Sequence, residues 1–169
     1  MIKRAVITPV GRACYRLAYL LIVADRKIRS SHGRGVKMVV DGGQRGVLLV
    51  QHTYGDQHWT LPGGRVRKDE TTDVTARREL EEELSLTPPV LRELGSYPVQ
   101  TDRRTEVVEV YLAEANGQQI DPNPIELKTA RWFNERALPD DLDPAALIAM
   151  GLLAGRRAEE AVSSSDRLA

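Results

Sequence analysis

Glutamates occupy four of the five positions between residues 79 and 83. On a helix, side chains three and four positions apart are neighbours, so Glu79, Glu82 and Glu83 project together while Glu81 points away. Clustered carboxylates repel one another by about a few tenths of a kcal/mol per pair. A hard divalent cation such as Mg²⁺, which also accepts substrate phosphate oxygens, would offset this repulsion. Taken alone, however, an acidic run is more typical of a solvated surface.

The spacing of residues outside the acidic run favours a metal site over a solvated surface. Gly64 is followed after five residues by Glu70, and after seven more by Arg78-Glu79-Leu80-Glu81-Glu82-Glu83-Leu84-Ser85-Leu86. This pattern of 23 residues resembles the Nudix box. At average residue frequencies, its six fixed polar or glycine positions would arise by chance with a probability on the order of 10⁻⁵. The segment is therefore expected to carry a function.

The resemblance to Nudix proteins implies both a fold and an activity. The expected fold is α/β of the α+β type, a Nudix-type α/β/α sandwich in which helices flank a mixed β-sheet. The expected activity is hydrolysis of the pyrophosphate bond of a nucleoside diphosphate linked to another moiety. A nucleoside triphosphate, a nucleotide sugar, an ADP-ribose-like compound or a dinucleotide would all be such substrates. The implied cofactor is Mg²⁺, with Mn²⁺ as a possible substitute.

The resemblance also implies residue roles. The glutamates that match the metal ligands of similar proteins are Glu79, Glu82 and Glu83, and the carbonyl group of Gly64 adds a further ligand. Arg78 would orient the acids through a salt bridge, and Glu70 would support the loop and the helix. Similar enzymes also place a catalytic glutamate before a late strand that carries an aromatic residue. Glu126, six residues before Trp132, matches that position, although it could equally be an ordinary loop glutamate.

Two features depart from the family pattern. Ser85 stands where the family has a glycine that releases the chain from the helix in a left-handed conformation, so we expect a different or strained exit. Arg67 and Asp69 stand where members often have Glu and Gly, which could change substrate contacts.

Several residues near the box could bind substrate. An aromatic ring could stack on a nucleobase, although Trp59 within a strand is more often part of the core. Basic residues after the Gly-Gly pair could hold phosphates or only balance the acids. His52 could touch phosphate, but a single histidine is a weak indication. The candidates for substrate binding are Tyr54, His58, Trp59, Arg65 and Arg67.

The pattern of apolar residues predicts the elements that position the box. Two β-branched runs around a Gly-rich turn indicate a hairpin, and a helix with an apolar stripe at Val74, Ala76, Leu80 and Leu84 is expected from Thr72 until Pro88-Pro89. The predicted strands are 36–40, 47–50, 59–61, 90–99, 105–112 and 129–133, and a last helix spans 144–153. Mixed strands and helices without regular alternation favour a mixed sheet flanked by helices.

The domain prediction is an N-terminal helical extension at residues 1–30, a Nudix domain at 31–158 and a flexible tail at 159–169. Residues 12–24 superficially resemble a signal peptide, but arginines interrupt the apolar run, which leaves about half the length that a spanning helix needs. Packing on the domain is the favoured interpretation, and membrane-surface contact is the less favoured one.

Charge and cysteine content narrow the function classes. Lys plus Arg and Asp plus Glu both number 24, so no global field attracts nucleic acid, and DNA binding is not expected. The single cysteine, Cys14, excludes an intrachain disulfide and fits a cytoplasmic location. The expected partner is a small-molecule nucleotide, and a homodimer is possible. The alternative function is a non-catalytic Nudix-fold module that binds or senses a nucleotide. Hydrolysis of capped RNA is disfavoured by the lack of a basic stripe.

Overall fold

The computed structural model describes residues 33–55, 57–100 and 105–166, with side chains up to residue 163. The predicted N-terminal helix and the segment 12–24 therefore lie outside the described residues. A 3-10 turn, Gly43–Arg45, joins the first two strands. The remaining elements are β1 (Arg34–Asp41), β2 (Val47–His52), β3 (Gly63–Arg65), α1 (Thr72–Leu84), β4 (Leu91–Gln100), β5 (Thr105–Glu114), β6 (Leu127–Phe133) and α2 (Pro144–Asp166).

The strands form one six-stranded mixed sheet with the order β4-β5-β1-β2-β6. β1 and β5 run parallel, whereas the other pairs are antiparallel. The predicted hairpin is confirmed, since Val40 of β1 lies opposite Leu48 of β2. The earlier half of β1 pairs with β3 instead, and Lys37 lies opposite Gly63. β1 thus has two antiparallel partners along its length, and this arrangement brings the Gly63-Gly64 pair into the sheet.

The two faces of the sheet are covered by different helices. Because successive strand residues point to opposite faces, Val36, Met38 and Val40 of β1 pack with Leu80 and Leu84 of α1. On the other face, residues of β1 and β2 pack against α2, among them Val39, Leu49, Ala146, Ala149 and Leu153. The helix-sheet-helix arrangement confirms the predicted α/β/α sandwich with a mixed sheet.

The buried face of α1 differs from the prediction at one position. Leu80 and Leu84 are fully buried as expected, but Val74 is 49% exposed. Ala76, Leu80 and Leu84 follow one another at intervals of four residues and share one face, whereas Val74 lies about 200° around the helix from Ala76. The inclusion of Val74 in the apolar stripe was therefore wrong.

The exit of α1 takes the left-handed conformation that is normally reserved for glycine. Ser85 has φ 52° and ψ 37°, its N–H donates to the carbonyl oxygen of Glu81, and the N–H of Leu86 donates to that of Leu80. The bond from Ser85 to Glu81 closes the helix as in the αL motif. The helix ends at Leu84, before the two prolines that were expected to stop it. The exit is therefore the left-handed one that the family's glycine takes and not a different one, and its strain stays a prediction.

Two other predicted boundaries change. The strand expected at 59–61 is wrong, because Trp59 and Thr60 make only isolated bridges and the three-residue strand is Gly63–Arg65. The last helix continues past Leu153 to Asp166, so most of the segment predicted as a tail is helical. Among the described residues, no helix has both the length and the apolar character needed to cross a membrane.

Ser85→Gly should raise the free energy of unfolding by about 0.5–1 kcal/mol. Glycine removes the Cβ strain at positive φ, and its greater freedom in the unfolded chain offsets part of that gain. Ser85→Ala is the matched control, because alanine keeps the Cβ and should not stabilise. Urea unfolding of the three proteins measures the effect, and equal stabilities would contradict the strain at Ser85.

Candidate active site

The site begins with two glycines that no other residue can replace without displacement of the backbone or of an acid. Gly63 has φ 155°, and a Cβ atom there would lie 2.2 Å from the carbonyl oxygen of Val36. A Cβ atom at Gly64 would lie 2.2 Å from Oε1 of Glu79. Real Cβ contacts are never this short, so β3 approaches β1 and α1 closely only because both residues are glycine.

Two acids of α1 converge on this glycine pair. The carboxylate of Glu79 packs against Gly64, and Oε2 of Glu83 accepts a hydrogen bond of 3.2 Å from the N–H of Gly63. Glu83 is only 2% exposed, although it is ionisable. The convergence of these two carboxylates was predicted from the helical spacing, and the glycine backbone provides their contact surface.

A third acid comes from the loop before β6. Glu126 is 8% exposed, and burial alone would not be expected for a loop glutamate. Burial raises the pKa values of Glu79 and Glu83, and the charge of Glu126 adds a smaller contribution to both. The backbone of Glu126 is fixed by Thr53, whose N–H donates to the Glu126 carbonyl oxygen at 2.9 Å. The sequence-predicted base thus lies beside the acids of the box.

The loop that carries Glu126 is fastened to the end of α1. The N–H of Asp121 donates to the carbonyl oxygen of Leu84 at 2.9 Å. The N–H of Asn123 donates to the backbone carbonyl oxygen of Glu83 at 2.8 Å. The side-chain amide of Asn123 donates to the carbonyl oxygen of Glu82 at 3.3 Å. These bonds satisfy carbonyl groups that a helix end leaves without partners. Sequence reasoning missed Asn123, although its place between two prolines marked a turn.

The buried acids carry a surplus of negative charge. Burial raises the pKa of Glu79, against the opposing attraction of Arg78. Burial also raises the pKa of Glu83 well above its ordinary value, and the charge of Glu79 adds to that effect while Lys37 opposes it. Repulsion between buried carboxylates is the condition that a bound cation would relieve.

Arg78 is the hub of the ion pairs around the box. Its Nη1 lies 2.7 Å from Oε1 of Glu79 and 3.1 Å from Oε2 of Glu82. Its Nε and Nη2 each donate to one oxygen of Glu70 at 2.9 Å. Partial burial raises the pKa of Glu70, but hydrogen bonds from Arg78 and Thr75 outweigh it and lower the value to about 2. The geometry agrees with the roles that the sequence predicted for Arg78 and Glu70.

The two basic candidates for substrate binding contact protein carboxylates. Arg67 lies 3.2 Å from Glu82 and 3.5 Å from Glu70. Arg65 lies 3.2 Å from Glu106. The side chain of Arg67 is 39% exposed and that of Arg65 is 40% exposed, and each lies beside the carboxylates that it contacts. A role in phosphate binding stays a prediction for each.

The aromatic candidates separate into two groups. Tyr54 is 40% exposed, and burial together with nearby carboxylates, first that of Glu83, raises the pKa of its hydroxyl to about 12. Its ring lies 5.4 Å from that of His52. Trp59 is 9% exposed and packs edge-to-face on Phe133 at 4.8 Å, in the α2-side core. His58 is exposed. The structure therefore leaves Tyr54 partly exposed beside His52 and favours the core interpretation of Trp59.

Comparison with known proteins identifies the family. A family model described as the NUDIX domain matches residues 31–150. The chain belongs to the NUDIX domain family. The structure of a MutT NUDIX hydrolase from Burkholderia pseudomallei superimposes with a TM-score of 0.64 and 26% identity, and the match covers 70% of this chain and 95% of that one. The NUDIX domain of Shewanella oneidensis NrtR, solved with ADP ribose, shares the fold at a TM-score of 0.63, with 24% identity over 82% of this chain and 97% of that one.

Curated relatives match over part of their length. The oxidized purine nucleoside triphosphate hydrolase of Danio rerio is 28% identical over 102 residues, which are 60% of this chain and 65% of that protein. An NAD-capped RNA hydrolase NudC from Vibrio atlanticus (strain LGP32) is 30% identical over 108 residues, 63% of this chain and 39% of that protein. The chain thus spans less than two thirds of either relative.

The donor set of this Nudix domain fits a hard divalent cation in its chemistry. Its acids offer only oxygen ligands, and burial raises the pKa values of Glu79 and Glu83 in spite of the opposing attraction of Arg78 and Lys37. Within residues 33–55, 57–100 and 105–166, no three His, Cys, Asp or Glu side chains already stand as a ligand set. Glu82 in particular is paired with Arg67 and Arg78. The residues that would hold a cation are Glu79, Glu82, Glu83 and Gly64.

Glu70→Gln should lower the free energy of unfolding by about 1–3 kcal/mol at neutral pH, because it breaks a charge-assisted pair with Arg78. The pKa of Glu70 falls from 4.5 to about 2 on folding. A lowered pKa contributes stability above the unfolded value, so the difference between the two proteins should shrink as the pH falls from 4.5 towards 2. Urea unfolding across this range measures it. Exposed Glu81→Gln is the control, and a pH-independent difference would contradict the pairing.

Proposed function

We propose that this Nudix domain is a divalent-metal-dependent hydrolase that cleaves the pyrophosphate bond of a nucleoside diphosphate linked to another moiety. The observations that support it most directly are the burial of the Glu83 and Glu126 side chains and the contacts of Glu79 and Glu83 with the backbone of Gly63-Gly64. Buried charges of one sign are rarely kept unless they bind something of the opposite sign. Mg²⁺ is the proposed cofactor, with Mn²⁺ as a substitute.

The proposed metal ligands are the α1 acids. When bound, a divalent cation neutralises charge on phosphate oxygens and acidifies a water for attack at phosphorus. Glu79 and Glu83 are directed by their contacts with the glycine strand. Arg78 holds Glu79 from the side and shares its guanidinium group with Glu82, and Glu70 fixes the orientation of that group. The acids are thereby held in place before any ligand arrives, which reduces the cost of ordering the site.

Glu126 is the proposed general base. It lies on the loop and not on α1, so its carboxylate approaches the acids from another element. No hydrogen bond from a described residue reaches that carboxylate, which leaves its oxygens available to accept a proton from water. A base must come within hydrogen-bond distance of the water that it deprotonates, and a loop fastened to the end of α1 can keep that distance.

The proposed substrate class is a nucleotide with a phosphoric anhydride. Tyr54 offers a partly exposed ring next to the acids, where a nucleobase or ribose could pack. The relatives named above are hydrolases of an oxidized purine nucleoside triphosphate and of NAD-capped RNA, and their names support an anhydride-containing substrate without selecting one.

Glu83→Gln should reduce Mg²⁺-dependent hydrolysis by at least about 100-fold, more than the loss typical for residues that only support a metal ligand. The measurement is a screen of nucleoside triphosphates, nucleotide sugars, ADP-ribose and dinucleotides with Mg²⁺ or Mn²⁺, in which both products are identified. Glu81→Gln is the matched control, because Glu81 lies on the same helix but is exposed, and its carboxylate bonds only to Thr87 among the described residues.

The same screen separates the hydrolase from a nucleotide-binding module. Full activity of Glu83→Gln would refute its role as a metal ligand. A wild-type protein that binds these nucleotides but releases no product from any of them would refute the hydrolase and favour the binding module.

Glu126→Gln should lower kcat by about 10²–10⁴-fold, the range typical of a lost general base, while the affinity for Mn²⁺ stays nearly unchanged. The glutamine keeps the size of the side chain but cannot accept the proton. Steady-state kinetics over a range of pH, together with Mn²⁺ titration, test both parts. An unchanged pH-rate profile would remove Glu126 from the mechanism.

A further inference from the structure

A lysine in the middle of β1 lies across from the glycine strand β3 and is not part of the Nudix box. Lys37 is half-buried, in a strand whose neighbouring residues Val36 and Met38 are core. Its ammonium group donates to Oγ1 of Thr60 at 3.1 Å and to the carbonyl oxygen of Leu61 at 2.9 Å. Lysines are rarely placed inside a sheet unless a negative charge compensates them.

The strand register connects Lys37 to the glycine that holds Glu83. Lys37 lies directly opposite Gly63 across the antiparallel pair of β1 and β3. A Cβ atom at Gly63 would lie 3.1 Å from Cδ of Lys37, so the lysine stem occupies the space beside the missing side chain. The N–H of Gly63 is the same group that donates to Glu83. One glycine therefore contacts both the lysine stem and the acid.

Thr60, which binds the Lys37 ammonium group, is connected in turn to the start of α2. Oγ1 of Thr60 donates to Oδ2 of Asp143 at 3.0 Å, and Oδ1 of Asp143 accepts the N–H of Ala145 in the first turn of that helix. Burial lowers the pKa of Lys37, while the charges of Glu83 and then Asp143 raise it. Its ammonium group is thus held directly by Thr60 and Leu61, and Thr60 connects it to Asp143.

Different cations offset the negative charges of the different acids. Arg78 pairs with Glu79 and Glu82. Glu83 makes no ion pair with Arg78 among the described contacts, and the largest attraction that lowers its pKa comes from Lys37. The most deeply buried acid of the box therefore has no ion pair with Arg78 among these contacts, and the strand register places Lys37 opposite the glycine whose N–H donates to it.

We propose that Lys37 is a positioning residue of the hydrolytic site. Its ammonium group, fixed by Thr60 and Leu61, is a counter-charge that holds Gly63 in place and keeps the Glu83 carboxylate in its productive orientation. This inference rests on the proposed function, because it assigns Glu83 its support. Lys37 acts through Glu83 and through Gly63 of β3, and it does not contact the substrate.

The kinetic test is Lys37→Met, which keeps the length of the side chain and removes its charge and its donors. Residues that support a metal ligand typically contribute 10–100-fold to activity, so kcat should fall by about that factor while KM changes little. Lys128→Met is the matched control, since Lys128 is an exposed strand lysine that bonds to Gln57, and its kcat should equal that of the wild type. A kcat within about twofold of the wild type, or a loss carried by KM alone, would overturn the positioning role.

The second test does not need catalysis. Free energies of unfolding are measured for the metal-free wild type, for Lys37→Met, for Glu83→Gln and for the double variant. If the two side chains compensate each other, the double variant loses less stability than the two single losses added together. Additive losses would overturn the pairing. If no wild-type turnover is found with any nucleotide, the proposed function fails, yet this cycle still decides the pairing.

Thr60→Val covers the case in which Lys37→Met does not fold. It removes only the hydroxyl that connects Lys37 to Asp143 and leaves the ammonium bond to Leu61 in place. We expect a smaller fall in kcat than for Lys37→Met, again with little change in KM. An unchanged kcat in a folded Thr60→Val protein would overturn the role of this anchor and with it the proposal.

Discussion

The close approach of a two-glycine strand to an acidic helix is the constraint on which the rest of this structure depends. Gly63 leaves no room for a Cβ atom beside Val36, and Gly64 leaves none beside Glu79. Because these side chains are absent, the carboxylate of Glu79 rests on backbone and Glu83 accepts a backbone N–H. A side chain at Gly63 would require the backbone of β3 to move away from β1, and a side chain at Gly64 would displace the Glu79 carboxylate.

The carboxylates that converge here repel one another, and contacts from several elements of the fold hold them in place. Arg78 lies between the acids and Glu70, so its own orientation is fixed by a carboxylate that has no place in the cluster itself. The end of α1 is closed by Ser85 in a left-handed conformation and by the Asn123 loop, which leaves no carbonyl group there to compete for a cation. These supports keep the acids in place while burial raises the pKa values of Glu79 and Glu83.

Local periodicity predicted much of this arrangement. The four-residue spacing of Leu80 and Leu84 predicted the buried side of α1, and two β-branched runs around a Gly-rich turn predicted the hairpin of β1 and β2. Errors arose where a neighbouring element decides burial. Val74 is apolar and near the helix start, yet it is 49% exposed, because none of the elements within the described residues buries its side of α1. The segment from Trp59 to Leu61 resembles a strand, but it makes only isolated bridges.

What the sequence determined by itself is the set of residues that share a helix face and the glycine spacing before them, because both follow from the geometry of a single element and its turn. Only the tertiary structure decided which distant groups join that face. Glu126 reaches the acids through a loop fastened to the end of α1, and Lys37 lies behind Glu83 through the register of β1 with β3. Contacts between residues far apart in the chain depend on strand order and register, and no local pattern encodes those.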